Sequence, residues 1–174
     1  MFESTGTLLS LAEIAAAFAG FAALVSVLGR GTAQPTKAIH DLLRLRLVLS
    51  SSVAGVAAAL IPVGLAGYGL DDALAWRLAA AIFLILDNGI IASFVGAYRP
   101  VRGTFQPDHL AVAVVTALEL IEQASLVAVV VGFSQAPPVA LYMTALIANL
   151  CQAAFIFVRF VESTFGHESE VDPG

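Results

Sequence analysis

Charge is what this chain has least of. Only 12% of its 174 residues are Asp, Glu, Lys or Arg, about half the share a soluble domain of this size carries. So little polar surface cannot cover a globular core in water, and with 59% hydrophobic residues and a mean hydropathy of +0.92 the chain calls for lipid as its solvent. Cysteine is almost as scarce. Cys151 stands alone, which excludes an internal disulfide framework and a Cys-based zinc site; its apolar neighbours read it as a small core residue. His40 and His109 flank apolar runs and read as solvated loop residues, so no axial pair for a haem exists within a span. No nucleophile elbow, phosphate-binding glycine loop or nucleic-acid-binding basic patch occurs. An enzyme is therefore not expected, and no cofactor is implied.

What is present is length of apolar sequence. A bilayer core of about 30 Å asks for roughly 20 apolar residues per helix. Five runs qualify: Leu8 to Gly29, Leu45 to Leu70, Ala75 to Tyr98, Leu110 to Phe133 and Val139 to Val161. They are rich in Ala and Leu, too long for strands and without period-two alternation, so a membrane barrel does not fit. The fold expected is an all-α, five-helix transmembrane bundle over 1–161, followed by a short acidic tail over 162–174. The opening MFESTGT is acidic, and the run behind it exceeds a signal h-region, so it reads as a retained first span.

Gly29, Gly31 and Pro35 break the first run, Gly69, Asp71 and Asp72 the second, Pro100, Gly103 and Pro107 the third, and Pro137 and Pro138 the fourth. The second helix is expected to start near Thr36, ahead of its apolar part, and to kink at Pro62, which removes one backbone hydrogen bond. The loop RGTAQP (30–35) recurs as RGTFQP (102–107), each after a Ser-x-x-Gly, at Ser26/Gly29 and Ser93/Gly96. This echo reads as a duplicated hairpin over 8–70 and 75–133 with a fifth helix, 139–161, added. The simpler reading is that Gly, Pro and Arg are what such loops need.

Polar residues interrupt the runs at one depth. Asp87 and Asn88 lie at the middle of the third, Glu119, Glu122 and Gln123 at the middle of the fourth, and Asn149 and Gln152 at the middle of the fifth. Glu13 lies nearer the outer end of the first. Helical spacing puts Glu119, Glu122 and Gln123 on one face, extended by Thr116, and pairs Asn149 with Gln152. Such faces cannot point at lipid. On insertion scales each glutamate costs around 3 kcal/mol, while about a dozen large apolar residues of the fourth run return roughly 6 kcal/mol in all. That span is marginal alone and needs partner helices. No Lys, Arg or His lies at the depth of these acids, the arginines of the runs standing near their ends, and a carboxylate buried without a counter-charge takes a proton or holds a cation. Glu-x-x-Glu also suits an oxygen-loving divalent ion.

The leading reading is an integral, multi-pass protein of a plasma or bacterial inner membrane that acts as a channel or carrier for protons or another cation. Its pathway would be lined by Asp87, Asn88, Glu119, Glu122, Gln123, Asn149, Gln152 and Glu13. The alternative is a non-transporting scaffold, sensor or accessory subunit, since neutral carboxyls and amides also glue membrane helices together at about 0.6 to 2 kcal/mol each. A homo-oligomer is expected from small-residue faces, Ala16/Gly20/Ala23 beside Glu13 and Gly89/Ser93/Gly96, which let backbones approach closely. The partners implied are the lipid bilayer, a second copy, and a proton or small cation; nucleic acid is not among them.

Orientation follows from the basic residues. Arg30, Lys37, Arg44, Arg46, Arg99, Arg102 and Arg159 fall on one side of a five-span arrangement and Arg77 on the other. Basic residues concentrate in cytoplasmic loops, which puts the N-terminus outside and the C-terminus in the cytoplasm, with Trp76 and Tyr98 as interfacial anchors of the third span. Reporter fusions at both ends should therefore give opposite signals. Two termini on one side would require an even number of spans and overturn this topology.

Overall fold

Every apolar run becomes a helix, because only a helix satisfies a lone segment's backbone N–H and C=O groups within hydrocarbon. The structure, a computed structural model, describes residues 5–28, 35–101, 108–133 and 135–165. Its helices are α1 (Thr5–Leu28), α2 (Pro35–Ala66), α3 (Asp72–Tyr98), α4 (His109–Val131) and α5 (Pro138–Phe165), with a short 3₁₀ turn at Arg99–Val101. All five α-helices are long and apolar enough to cross a membrane. The paired loops 30–35 and 102–107, apart from Pro35 at the start of α2, lie outside the described residues, as do Arg30, Arg102, the tail beyond 165 and the side chains of Lys37 and His40.

Local chemistry sets the helix ends. Asp71 caps α3 by accepting from the Ala73 and Leu74 amides at 3.1 and 3.4 Å, and Asp108 caps α4 by accepting from the Ala111 amide at 3.0 Å. Gly132 closes α4 with φ 72°, the left-handed conformation that favours glycine. The Arg77 guanidinium lies where a Cβ on Gly132 would go, so a cation sits against the negative end of the α4 dipole. Proline at the first helical position opens both α2 and α5.

The centre of the bundle is the pair α2 and α5. Over the apolar 18-residue stretch of their spans 44% of the residues are buried, against 22% in each of the other three. α1 packs on α2 and along α5, α3 on α2 and α4, and α4 on α5. Successive helices run in opposite directions: Arg159 near the end of α5 pairs with Asp108 at the start of α4 at 3.2 Å, and Arg46 near the start of α2 donates to Ser93 Oγ near the end of α3 at 2.8 Å. Arg46, Arg99 and Arg159 thus share one end of the bundle and Arg77 occupies the other.

Two apolar clusters fill the interior. The larger, toward the Arg77 end, contains Leu8, Trp76, Phe83, Leu126, Tyr142 and Leu146 with the small residues Ala58, Ala59 and Ala79. The smaller, toward the other end, is built on Ala22, Val48 and Ile156. Four expectations are corrected here. Trp76 is a core residue, 4% exposed, its ring 5.3 Å from that of Tyr142, because the α3 face that carries Ala75, Ala79 and Phe83 turns inward and takes Trp76 with it. Cys151 is exposed, since α5 commits Leu150, Gln152 and Ala153 to the interior. Thr116 also points outward. Finally, α5 runs past 161 to Phe165: Arg159 pairs with Glu162 at 3.1 Å, an i,i+3 contact that supports a helix beyond its apolar part.

Pro62 lies inside α2 without ending it. Its ring nitrogen has no hydrogen to give the carbonyl four residues earlier, Ala58. That carbonyl accepts instead from the Tyr142 hydroxyl of α5 at 2.6 Å, in a buried contact. The same tyrosine stacks at a tilt on Trp76 and Phe83, so one side chain repairs α2 and joins three helices. Tyr142→Phe should destabilise the protein by about 1 to 2 kcal/mol by stranding the carbonyl. In a Pro62→Ala background, where an amide hydrogen is restored, the same change should cost much less. Thermal or SDS unfolding in micelles reads the double-mutant cycle, and equal costs in both backgrounds would break the link.

Candidate functional site

Helix periodicity brings the mid-span polar residues to one level. Asp87, Glu119, Glu122, Asn149 and Gln152 each lie within one turn of the midpoint of their span, and so do Ser51 and Ser52 of α2. Because the helices alternate in direction and pack side by side, these midpoints coincide as a polar layer between the two apolar clusters.

Within the layer, carboxyls and amides alternate. Gln123 Nε2 donates to Asp87 Oδ2 and also, at 2.8 Å, to Glu119 Oε1. Gln152 Nε2 donates to the other Glu119 oxygen, Oε2, at 3.2 Å and more weakly to Glu122 Oε2 at 3.4 Å. Asn88 Nδ2 donates to Gln123 Oε1 at 3.2 Å and to its own helix at the Leu84 carbonyl. Asn149, which lies beside Glu122, donates to Ser51 Oγ at 3.0 Å. A line of polar contacts therefore crosses the bundle from α3 through α4 and α5 to α2. It runs sideways between helices and not along them.

The line grades from rim to centre. Asn88 is exposed between α3 and α4, Glu119 and Gln123 are half-buried, Asp87 is buried, and Glu122 is fully enclosed at 0% exposure. One oxygen from each of Asp87, Glu119 and Glu122 lies within 4.8 Å of the others. Two unit charges at that distance repel by about 3 to 4 kcal/mol at an effective dielectric of 20, so the triad is not stable as three bare anions. Oxygens bound to a single ion at about 2.3 to 2.6 Å are no more than about 5 Å apart, and this spacing fits one shared cation as well as it fits shared protons. Among the described residues, three buried atoms lack a protein hydrogen-bond partner: Glu122 Oε1, Asn149 Oδ1 and Ser52 Oγ.

Seven of the eight residues read from sequence meet in this layer. Glu13 does not. α1 turns Leu8, Ala12 and Ala15 inward, which leaves Glu13 on the outer, exposed face together with Ala16, Gly20 and Ala23. Sequence reading missed the α2 contribution, although the signal was there in the run Ser50–Ser51–Ser52 at mid-span. Four residues on, Gly55 makes room: a Cβ there would come within 3.1 Å of Asn149 Oδ1 and 3.5 Å of the Ala15 Cβ. Comparison with protein-family models, with curated proteins and with solved structures gives no match to this chain.

The contacts rank the layer's residues. Gln152→Leu withdraws the donor shared by Glu119 and Glu122 and should cost about 1 to 3 kcal/mol of stability. Ser52→Ala deletes a hydroxyl with no partner and should be neutral or slightly stabilising. Unfolding midpoints of the two variants in one detergent test the ranking; Ser52→Ala costing as much as Gln152→Leu would show that the bonds are wrongly apportioned.

Proposed function

We propose that this protein is a small multi-pass carrier or gated channel for protons or another small cation, with the Asp87–Glu119–Glu122 triad as its binding site. The observation that carries this reading is a carboxyl triad bridged by neutral amides and enclosed between two apolar clusters. The acids come from α3 and α4; Gln123 and Gln152 donate to them, and Asn149 stands beside Glu122, so the groups that meet them are neutral amides. Such a triad gains most from a positive ligand. The apolar clusters above and below argue against a standing water-filled pore and for a site reached from one side at a time.

Occupancy has a mechanical consequence. An empty, charged triad pushes α3 away from α4, while a proton or cation removes the repulsion and lets the two helices close. A ligand shifts a conformational equilibrium only by its differential affinity for the two states, and this repulsion supplies one. The reading includes the topology with an outside N-terminus, residence in a plasma or bacterial inner membrane, and a homo-oligomer joined through the exposed small-residue face of α1. The scaffold reading draws on the same layer, because its bonds also tie four helices together.

Flux in reconstituted liposomes separates the two. Glu122→Gln and Asp87→Asn keep shape and hydrogen bonding, so both should fold and assemble as wild type while proton or cation flux falls at least about ten-fold, the scale of one lost charge contact. Glu122→Leu takes the weaker of its two acceptors from Gln152 and sets an apolar side chain beside Asn149, and should impair assembly under either reading. Wild-type flux in Glu122→Gln would end the transport role assigned to that carboxyl, and absence of flux in the wild type would favour the scaffold.

A further inference from the structure

On the α2 side of α3, about 60 to 100° round that helix from Asp87, an apolar groove runs between α2 and α3. It has a volume of about 670 Å³ and is lined by Leu42, Leu49, Val53 and Ala57 of α2 and by Leu86 and Ile90 of α3. A second cavity of about 290 Å³ adjoins it, sharing Arg46, Ser50, Leu86 and Ile90 and extending over Gly89 and Ser93. Gly89 has open space where a side chain would stand. The groove opens outward: Leu42 and Val53 are more than half exposed.

One cation interrupts this apolar surface. Arg46 lies about one turn inside the span that starts at Leu42, is exposed, and lines both cavities. Its contact among the described residues is the Ser93 hydroxyl at 2.8 Å, a neutral acceptor. A guanidinium carries five donors in a planar fork suited to phosphate, so most of its hydrogen-bonding capacity remains open beside a groove suited to hydrocarbon. Arg99 ends α3 at the same end of the bundle and is exposed. Basic pockets between membrane helices on the cytoplasmic side are where anionic headgroups bind.

We infer that the α2–α3 groove is a binding site for an anionic phospholipid, with acyl chain along Leu49, Val53 and Ile90 and phosphate on Arg46. The charge selects this occupant. A second copy packing here would have to bring an acid to Arg46; among the described residues the exposed acids Glu13, Asp71 and Asp72 lie toward the opposite end, and Glu162, at the same end, already pairs with Arg159. A zwitterionic lipid would fill the groove but bring a positive group beside the guanidinium. The site rests on membrane insertion alone and is independent of any transport role.

Native mass spectrometry of the purified full chain tests the assignment, with phosphatidylglycerol and phosphatidylcholine of identical chains added in equal amounts. Wild type should retain phosphatidylglycerol about five-fold or more over phosphatidylcholine, the scale of one basic residue facing an anionic lipid. Arg46→Gln should abolish that preference and Arg46→Lys should keep most of it. Val53→Trp, which fills the groove and spares the arginine, should reduce retention of both lipids. Millimolar inorganic phosphate should leave the adducts in place. Equal retention of the two lipids by wild type, or an unchanged preference in Arg46→Gln, would overturn the site. So would displacement by inorganic phosphate, which would mean the groove contributes nothing, or a dimer that Val53→Trp dissolves, which would make the occupant a second copy. Should Arg46→Gln fail to fold, the Val53→Trp and phosphate results decide.

Discussion

A carboxyl in the middle of a bilayer has no water to turn to, and the arrangement of this bundle answers that need. Glu122 is the most enclosed of the three acids. To hide it, α4 must present one face to α3 and α5, and those helices must supply polar partners at its level. α5 supplies a donor, Gln152, and α3 an acceptor, Asp87, to which Gln123 of α4 donates as it does to Glu119. Apolar contacts alone leave membrane helices free to slide, since lipid tails are as apolar as leucine. The polar layer removes that freedom. Sliding α4 by one residue would turn its acids through about 100° and out of reach of Gln152, and would carry Gln123 away from Asp87.

The centre of the bundle is held by different means. α2 and α5 meet through small residues, with Ala54, Ala58, Ala145 and Ala148 buried, and through two polar contacts that each make good a local deficit. Tyr142 serves the carbonyl that Pro62 leaves open, and Asn149 reaches Ser51 beside the gap at Gly55. Both contacts join the same two helices, one near the middle of the membrane and one toward the Arg77 end. α3 is held by fewer ties, as its burial shows: the bond to Gln123 on one side and Arg46 to Ser93 on the other.

Number, length and helical character of the spans were legible in the sequence because each rests on a local property, the length of an apolar run between Gly, Pro and Asp. The polar layer was legible for the same reason: depth in a helix follows from counting residues. Rotation was not. Which way Glu13, Thr116, Trp76 and Cys151 face depends on which neighbour claims the opposite side of the helix, and that is decided by packing partners distant in sequence. α1 illustrates this, since alanines lie all round it and its apolar pattern barely favours one side. Its burial of Ala12 and Ala15 over Glu13 is set by α2 and α5. The serines of α2 escaped notice because a hydroxyl is a weak signal beside a carboxylate, yet one holds Asn149 and another stands unpartnered at the centre.

The two faces of α3 bring the layer and the groove together. Asp87 and Leu86 are neighbours in sequence and point about 100° apart, one into the triad and the other into the lipid-facing groove. Ser93 lies two turns along, on Arg46. A shift of α3 toward α2 would lengthen the Asp87–Gln123 contact and narrow the groove at Leu86. α2 cannot give way freely, because Pro62, Tyr142 and Asn149 fix it to α5. Charge on the triad and occupancy of the groove therefore act on the same helix from two adjoining sides, and any movement that serves one must be measured against the other.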